Sequence, residues 1–292
     1  MSENGTSLRT EPAPHFNKRK ILSDNFKISI IGAGNVAWHL ARALAEVARV
    51  RQIVSRTTES SSALASRINE FYISAGERTR CTSEVSPEAL YADSDLYLIA
   101  VNDDAIARVV ESTPDFPGIW AHTSGSVGLE VFEGIKSRYG SFYPLQTFSR
   151  ELDVDVPTVP FFVEGSDPQV LETLRSLAGA VSARVYTATS ERRRALHRAA
   201  VFACNFANQM WADADLLLRD QGLDVTCLLP LISATLAKLE ALSPAEAMTG
   251  PAQRGDLKII RRHIDELPYN LREVYRVVSQ QILDTSHPGM KI

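Results

Sequence analysis

One short run, Gly32-Ala33-Gly34-Asn35-Val36-Ala37, limits this chain more than any other. It follows Lys27-Ile28-Ser29-Ile30-Ile31, an apolar β-branched stretch, and opens Val36 to Val47, where apolar residues recur at helical spacing. Gly32 suits a sharp turn, and Gly34 leaves room for a ligand to approach the backbone. Ala37 takes the third, close-packing position of a dinucleotide fingerprint. The helix beginning near Asn35 and Val36 offers free N–H groups and a positive dipole end to an anion. A strand before and a helix after give such a run its meaning, because the bare spacing recurs by chance. The competing reading is a tight turn that holds nothing.

The pattern continues as alternating strands and helices. Val50 to Ser55 reads as a second strand and Ser60 to Glu70 as a helix. Asp95 to Val101 is a buried strand run, Ala105 to Val110 a helix, and Gly118 to His122 another strand. Such alternation calls for a parallel sheet with right-handed crossovers. Phe161 to Glu164 and Arg184 to Thr187 flank a helix from Pro168 to Val181 and are expected at the sheet edge. From Ser190 the pattern is helical: Ser190 to Gln221, Val225 to Leu242, Gln253 to Glu266 and Tyr269 to Leu283, with Ser190 an N-cap and Gly222 a stop. The fold class is therefore α/β, an N-terminal Rossmann dinucleotide-binding domain followed by an all-α domain. The expected boundaries are a loose tail over residues 1–24, the Rossmann domain with its edge strands over 25–188, and a helical substrate and dimerisation domain over 189–292.

Composition excludes several classes. The net charge of −4 lacks the concentrated basic excess of a nucleic-acid binder. No apolar run approaches the roughly 18 residues of a membrane helix. Cys81, Cys204 and Cys227 are odd in number and scattered, which suits neither a disulfide framework nor a metal site. Cys204 and Cys227 lie in apolar helical patterns that predict burial, and the compartment expected is the reducing cytoplasm.

Cofactor choice is read at the end of the second strand. An acidic residue there would accept from ribose hydroxyls, but this chain has Ser55-Arg56-Thr57-Thr58. Arg56 can pair with a 2′-phosphate and the hydroxyls of Ser55 and Thr57 can donate to it, so NADP(H) is favoured over NAD. A solvated loop arginine is the alternative. Backbone at Val101 and Asn102 is expected to line the cofactor, while Asp103 and Asp104 suit capping of the next helix.

His122-Thr123-Ser124-Gly125 follows another strand at the same sheet edge, which puts Ser124 near the cofactor. His122 suits a structural ring and an active-site ring equally. Phe142 to Phe148 reads as a second, turn-rich segment able to close the pocket. His197, Val201 and Asn205 recur at i, i+4, i+8, with Arg194 one turn earlier. Of Arg192-Arg193-Arg194, only Arg194 has the phase to turn inward. Helix–helix hydrogen bonding is the alternative use of these polar groups. The inter-helix run Met248 to Asp256 presents Thr249, and Arg254 with Asp256 to anchor it.

Taken in order, Gly32 to Ala37, His122-Thr123-Ser124-Gly125, Tyr143-Pro144-Leu145-Gln146-Thr147-Phe148, Leu196-His197-Arg198-Ala199-Ala200 with Asn205, and Thr249-Gly250-Pro251 resemble a known family. Its members are NADP oxidoreductases that join a Rossmann-like domain to a C-terminal helical domain of unknown function. The resemblance runs from about Phe26 to Leu283. In plan the family is similar to the 6-phosphogluconate dehydrogenase, ketopantoate reductase and pyrroline-5-carboxylate reductase groups. Related 2-hydroxy-acid enzymes carry a lysine followed four residues later by asparagine. Here His197 stands in that region with Val201 at the asparagine spacing, so a lysine mechanism does not transfer. Some members carry a deazaflavin label, which nothing in this sequence supports. The resemblance implies an NADPH-dependent reductase of a small carboxylate-bearing ketone such as a ketopantoate-like 2-oxo acid, working as a homodimer. His197 is the first candidate acid and His122 the second. Asn205 would orient the carbonyl, and Arg194, Thr249 or Arg254 would hold the substrate. The alternatives are a cyclic-imine (pyrroline-5-carboxylate-like) reductase and a non-catalytic NADP sensor.

Overall fold

The computed structural model describes residues 25–292, so the tail expected over residues 1–24 lies outside the described residues. Two compact units divide the chain, one running to Val201 and the other spanning Phe202–Ile292.

The first unit is an eight-stranded sheet. Its elements are β1 (Lys27–Ile31), α1 (Asn35–Ala45), β2 (Arg49–Val54), α2 (Thr58–Ser74), β3 (Thr82–Glu84), β4 (Leu96–Ile99), α3 (Asp103–Ser112), β5 (Ile119–His122), β6 (Tyr139–Pro144), β7 (Phe161–Gly165), α4 (Pro168–Val181), β8 (Val185–Thr187) and α5 (Ser190–Ala200). The strand order is β3-β2-β1-β4-β5-β6-β7-β8. All neighbours are parallel except β6 and β7. The edge position expected for the strands around Phe161 and Val185 is the one observed.

Each face of the sheet buries its own apolar layer, as a parallel sheet between helices must. On one face Ile28, Ile30, Val50 and Ile53 pack with Leu40 and Leu44 of α1, Leu64 and Ile68 of α2, and Leu174 and Leu177 of α4. On the other, Ile31, Val54, Tyr97, Ile99 and Trp120 pack with Ile106 and Val110 of α3 and with Phe132. Helix α4 has the limits read from the sequence because its start is doubly specified. Asp167 accepts from the Gln169 and Val170 N–H groups, and Pro168 presets the first turn.

Several expectations need correction. The start of the turn-rich run, Phe142 to Pro144, belongs instead to an inner strand, Tyr139–Pro144. Its proline falls at the last position, and Gly140 is required because a Cβ there would lie 2.3 Å from the Glu164 carbonyl oxygen. Thr189, not Ser190, caps α5 by accepting from the Arg192 N–H. Ser190 instead donates to the Glu164 carboxylate, and its hydroxyl accepts from the Leu129 N–H. The long helix expected from Ser190 runs without a gap to Arg219 but changes its winding, since Val201–Phe206 is π-helical before α6 (Ala207–Arg219).

The second unit continues with a 3₁₀ turn at Val225–Leu228 and α7 (Leu229–Lys238). The helix expected over Gln253 to Glu266 is two, α8 (Pro251–Arg254) and α9 (Leu257–Glu266), split at the left-handed Gly255 (φ +76°). Helix α10 (Tyr269–Ser286) closes the chain. Ala252, Ile260, Ile264 and Leu283 form a small core. Around it, Phe202, Leu223, Leu229, Leu231, Leu236 and Leu239 are exposed. Cys204 and Cys227, expected to be buried, are exposed as well, since the apolar pattern around them is not covered by this chain. No described helix is long and apolar enough to cross a membrane.

Candidate functional site

The glycine turn sits where β1 ends beside β4. Gly32 adopts φ +114°, and a Cβ there would fall 2.2 Å from the Ala100 carbonyl oxygen, so neither the conformation nor the space admits another residue. Gly34 is the opposite case. A Cβ on it would meet nothing within 4 Å, which leaves an open cradle above the start of α1. Gly34 is also the N-cap of α1 and supplies no side-chain cap, so the first N–H groups at Asn35 and Val36 have no capping partner. An open, uncapped helix start behind a tight glycine is the geometry a dinucleotide diphosphate needs.

The segment after β6 packs beside this turn. The Asn35 amide donates to the Phe148 carbonyl at 3.0 Å, the buried His39 ring bonds the Ser149 carbonyl at 2.7 Å, and Arg150 donates to the Ala33 carbonyl. At the end of β2, Arg56 is exposed and has no ion pair among the described residues, as a phosphate-binding arginine requires. Ser55 is half-buried with its N–H given to the Glu84 carbonyl. Thr57 is the N-cap of α2, accepting from the Ser60 N–H, so its hydroxyl already serves the helix. Val101 is half-buried, and Asn102 is the exposed N-cap of α3 with Asp103 and Asp104 in the first turn.

Beyond β5 the chain folds a polar nest. The Ser124 hydroxyl oxygen accepts from the Ser126 and Val127 N–H groups, both at 3.0 Å, and its own N–H donates to His122 Nδ1 at 3.2 Å. His122 is fully buried and stacked on Phe132 at 5.7 Å. Burial first, and the nearby Arg193 charge second, push its pKa down to about 3 against the opposing pull of the Gly128 and His122 backbone. The ring is therefore neutral near pH 7. Through Nδ1, His122 anchors the loop after β5, while its buried Nε2 has no hydrogen-bond partner among the described residues.

Arg193 corrects the helix phase. It is fully buried, whereas Arg194 is partly exposed and pairs with Glu130 at 3.2 Å. Arg193 donates to the Ser124 carbonyl at 3.1 Å, to the Val127 carbonyl at 2.6 Å, and to the Glu164 carboxylate of β7. It fastens the loop after β5 and the strand β7 to α5. Sequence spacing alone does not define which side of α5 faces the sheet; the Glu164 carboxylate on β7 does.

One turn further along α5 stands His197, half-buried, whose Nδ1 lies 3.2 Å from the Tyr143 hydroxyl. Tyr143 is the inward residue near the end of β6, 8% exposed. Burial raises its pKa to about 12; Asp103 adds to the rise and Arg193 opposes it. Gly125 makes the contact sterically feasible. A Cβ there would fall 2.7 Å from Tyr143 Cζ and 2.8 Å from both the Tyr143 hydroxyl and His197 Nδ1. Three segments distant in sequence therefore meet at His197, Tyr143 and Gly125. Tyr143 stood in a run already singled out, but a turn reading of that run hid its partner.

The remaining candidates belong to the second unit. Asn205 is exposed and lies in the π-helical stretch, where a spacing rule for 3.6 residues per turn no longer applies. Arg254 is exposed and paired with Asp256 at 3.0 Å. Thr249 lines a largely apolar cavity of about 330 Å³ with Met210, Leu217, Leu271 and Tyr275.

A Rossmann-like domain family matches residues 12–146, and the family of the domain of unknown function DUF2520 matches residues 159–282. A candidate NADP oxidoreductase from Bacteroides fragilis is 36% identical, with 89% of this chain and 98% of that one covered and a TM-score of 0.78. A protein from Thermotoga maritima is 19% identical, covers 89% and 99% of the two chains, and has a TM-score of 0.71. A reductive aminase from Aspergillus terreus, solved with NADPH and ethyl levulinate, shares the fold at 13% identity, with 90% and 87% covered and a TM-score of 0.57. None of the curated proteins matches the chain.

Proposed function

We propose, from the premise that the chain belongs to the oxidoreductase family joining a Rossmann-like domain to a DUF2520 domain, that it is an NADPH-dependent reductase of a small carbonyl compound. The observation that carries this reading is the pairing of an open glycine cradle with a half-buried histidine in one unit of the chain. When bound, the cofactor supplies a hydride to the carbonyl carbon. The chain's own residues do the rest. The free N–H groups behind Gly34 bind the diphosphate, and Arg56 pairs with the 2′-phosphate. His197 holds the proton that the substrate oxygen takes up as hydride arrives.

A ketopantoate-like 2-oxo acid is the first substrate class, with Arg194 binding its carboxylate by exchanging the Glu130 contact. Such an exposed pair is worth little and is readily traded. A second reading has its own support. The fold shared with a reductive aminase solved with NADPH supports a cyclic imine of the pyrroline-5-carboxylate kind, whose carboxylate would use the same arginine.

The exposed apolar side chains from Phe202 to Leu239 support a homodimer, in which a second copy covers what one chain leaves in water. Exposed thiols at Cys204 and Cys227 favour a reducing, cytoplasmic setting. The test is NADPH consumption over a panel of 2-oxo acids, simple ketones and cyclic imines. His197→Ala should lower turnover on the accepted substrate by about 10²–10⁴-fold with NADPH affinity retained. Tight NADPH binding without turnover on any panel member would leave the chain a sensor instead.

A further inference from the structure

We propose that Tyr143 is the positioning residue that selects which nitrogen of His197 exchanges protons, and that Gly125 exists to let the two rings meet. The inference rests on His197 being the acid proposed above and deepens that assignment.

An imidazole that serves as an acid must present one nitrogen to the substrate and keep the other fixed. Here the fixed nitrogen is Nδ1, because the Tyr143 hydroxyl lies 3.2 Å from it and the rings meet edge to face, 6.2 Å apart. Burial and the neighbouring Asp103 charge keep the phenol protonated, so it does not become a tyrosinate that would trap the proton. The phenol oxygen accepts from Nδ1–H both before and after the transfer. In the proposed transfer, Tyr143 holds His197 Nδ1–H while Nε2–H faces the substrate. The Nε2–H bond breaks as the substrate oxygen forms its O–H bond, leaving neutral imidazole with Nδ1–H unchanged. Nε2 then regains a proton from solvent, and the hydroxyl of Tyr143 is neither gained nor lost.

The groups around the pair hold this arrangement. Arg193 fixes the loop carrying Gly125 through the Ser124 and Val127 carbonyls, and its own charge is matched by Glu164. A carboxylate in place of the phenol would stabilise the imidazolium and resist the transfer. A hydroxyl orients the ring without that penalty. Gly125 contributes by absence, since any side chain would enter the 2.7–2.8 Å space at the contact.

The test reads the ring itself. In full-length protein labelled with ¹⁵N-histidine, with the His197 signals identified by their loss in His197→Gln, the neutral ring should carry its proton on Nδ1. In Tyr143→Phe, and in Gly125→Ala, the balance should move toward the Nε2–H form that a free histidine prefers. Turnover should fall about tenfold, the scale of one lost hydrogen bond to a charged ring, with the KM for NADPH unchanged. A wild-type ring already protonated on Nε2, or a tautomer unmoved in both variants, overturns the proposal. Because the spectrum needs no substrate, it stands apart from the reductase reading, which fails only if wild type reduces nothing.

Discussion

The sheet unit and the helical unit treat their apolar residues in opposite ways. In the sheet unit both faces are covered by helices of the same chain, and side chains as large as Trp120, Phe142 and Phe161 are fully buried. In the helical unit, Leu231 is 65% exposed and Leu236 58%, around a core of a few residues. The first unit is finished by its own sequence. The second leaves a broad set of large apolar side chains exposed in the single chain, the surface on which the proposed homodimer rests.

The sharpest way to break this contrast is to damage the sheet unit from within. Glu164→Ala leaves Arg193 charged and fully buried, which should cost about 3–5 kcal/mol of unfolding free energy. If the unit is self-sufficient, that loss in a urea titration is independent of protein concentration. The second perturbation is aimed at the other unit. Leu231→Asp with Leu236→Asp should weaken self-association by about 100-fold, or near 3 kcal/mol, measured by sedimentation at several concentrations. NADPH binding by the sheet unit should survive. A variant that stays as associated as wild type would mean that these leucines face water in the assembly too.

A smaller effect separates the units by pH. The ordinary value of a histidine is 6.5, and the fold holds His122 at about 3, so between those limits the unfolded chain binds a proton that the native one refuses. This contribution is complete above 6.5 and shrinks as pH falls. At pH 5 the histidine alone should remove about 2 kcal/mol relative to pH 7. His122→Gln should flatten that part of the profile, and an unchanged slope would place the acid sensitivity elsewhere. The least effect concerns the cradle. Arg56→Ala should raise the Kd for NADPH about tenfold and leave NADH nearly unaffected, in a fluorescence titration.

Legibility followed the same division. In the sheet unit, hydrophobic periodicity sufficed for β1, α1 and β4, and the Asp167-Pro168 start gave α4 its limits. The strand at Tyr139–Pro144 is not legible because it ends in Pro144 and runs into a turn-rich stretch, and only its neighbours supply the burial that makes it a strand. β3 escaped because three half-buried residues carry no period at all. The cofactor cradle was readable since it is contiguous in sequence. The Tyr143–His197 pair was not, because its members lie 54 residues apart and sit on different kinds of element. Counting by 3.6 also failed where the backbone is π-helical, at Val201–Phe206, and where Gly255 divides a helix.

The long span of those contacts has a kinetic meaning. His197 reaches Tyr143 across 54 residues, and Arg193 reaches Ser124 across 69. Closing such loops is entropically costly until the intervening strands have paired, so these contacts belong to the late part of folding. The glycine cradle, made of neighbours in sequence, needs only β1, α1 and β4 to form. During refolding, dinucleotide affinity should therefore return before reductive activity does. An interval in which the chain binds its cofactor but turns nothing over would record the order in which the two halves of the site are built.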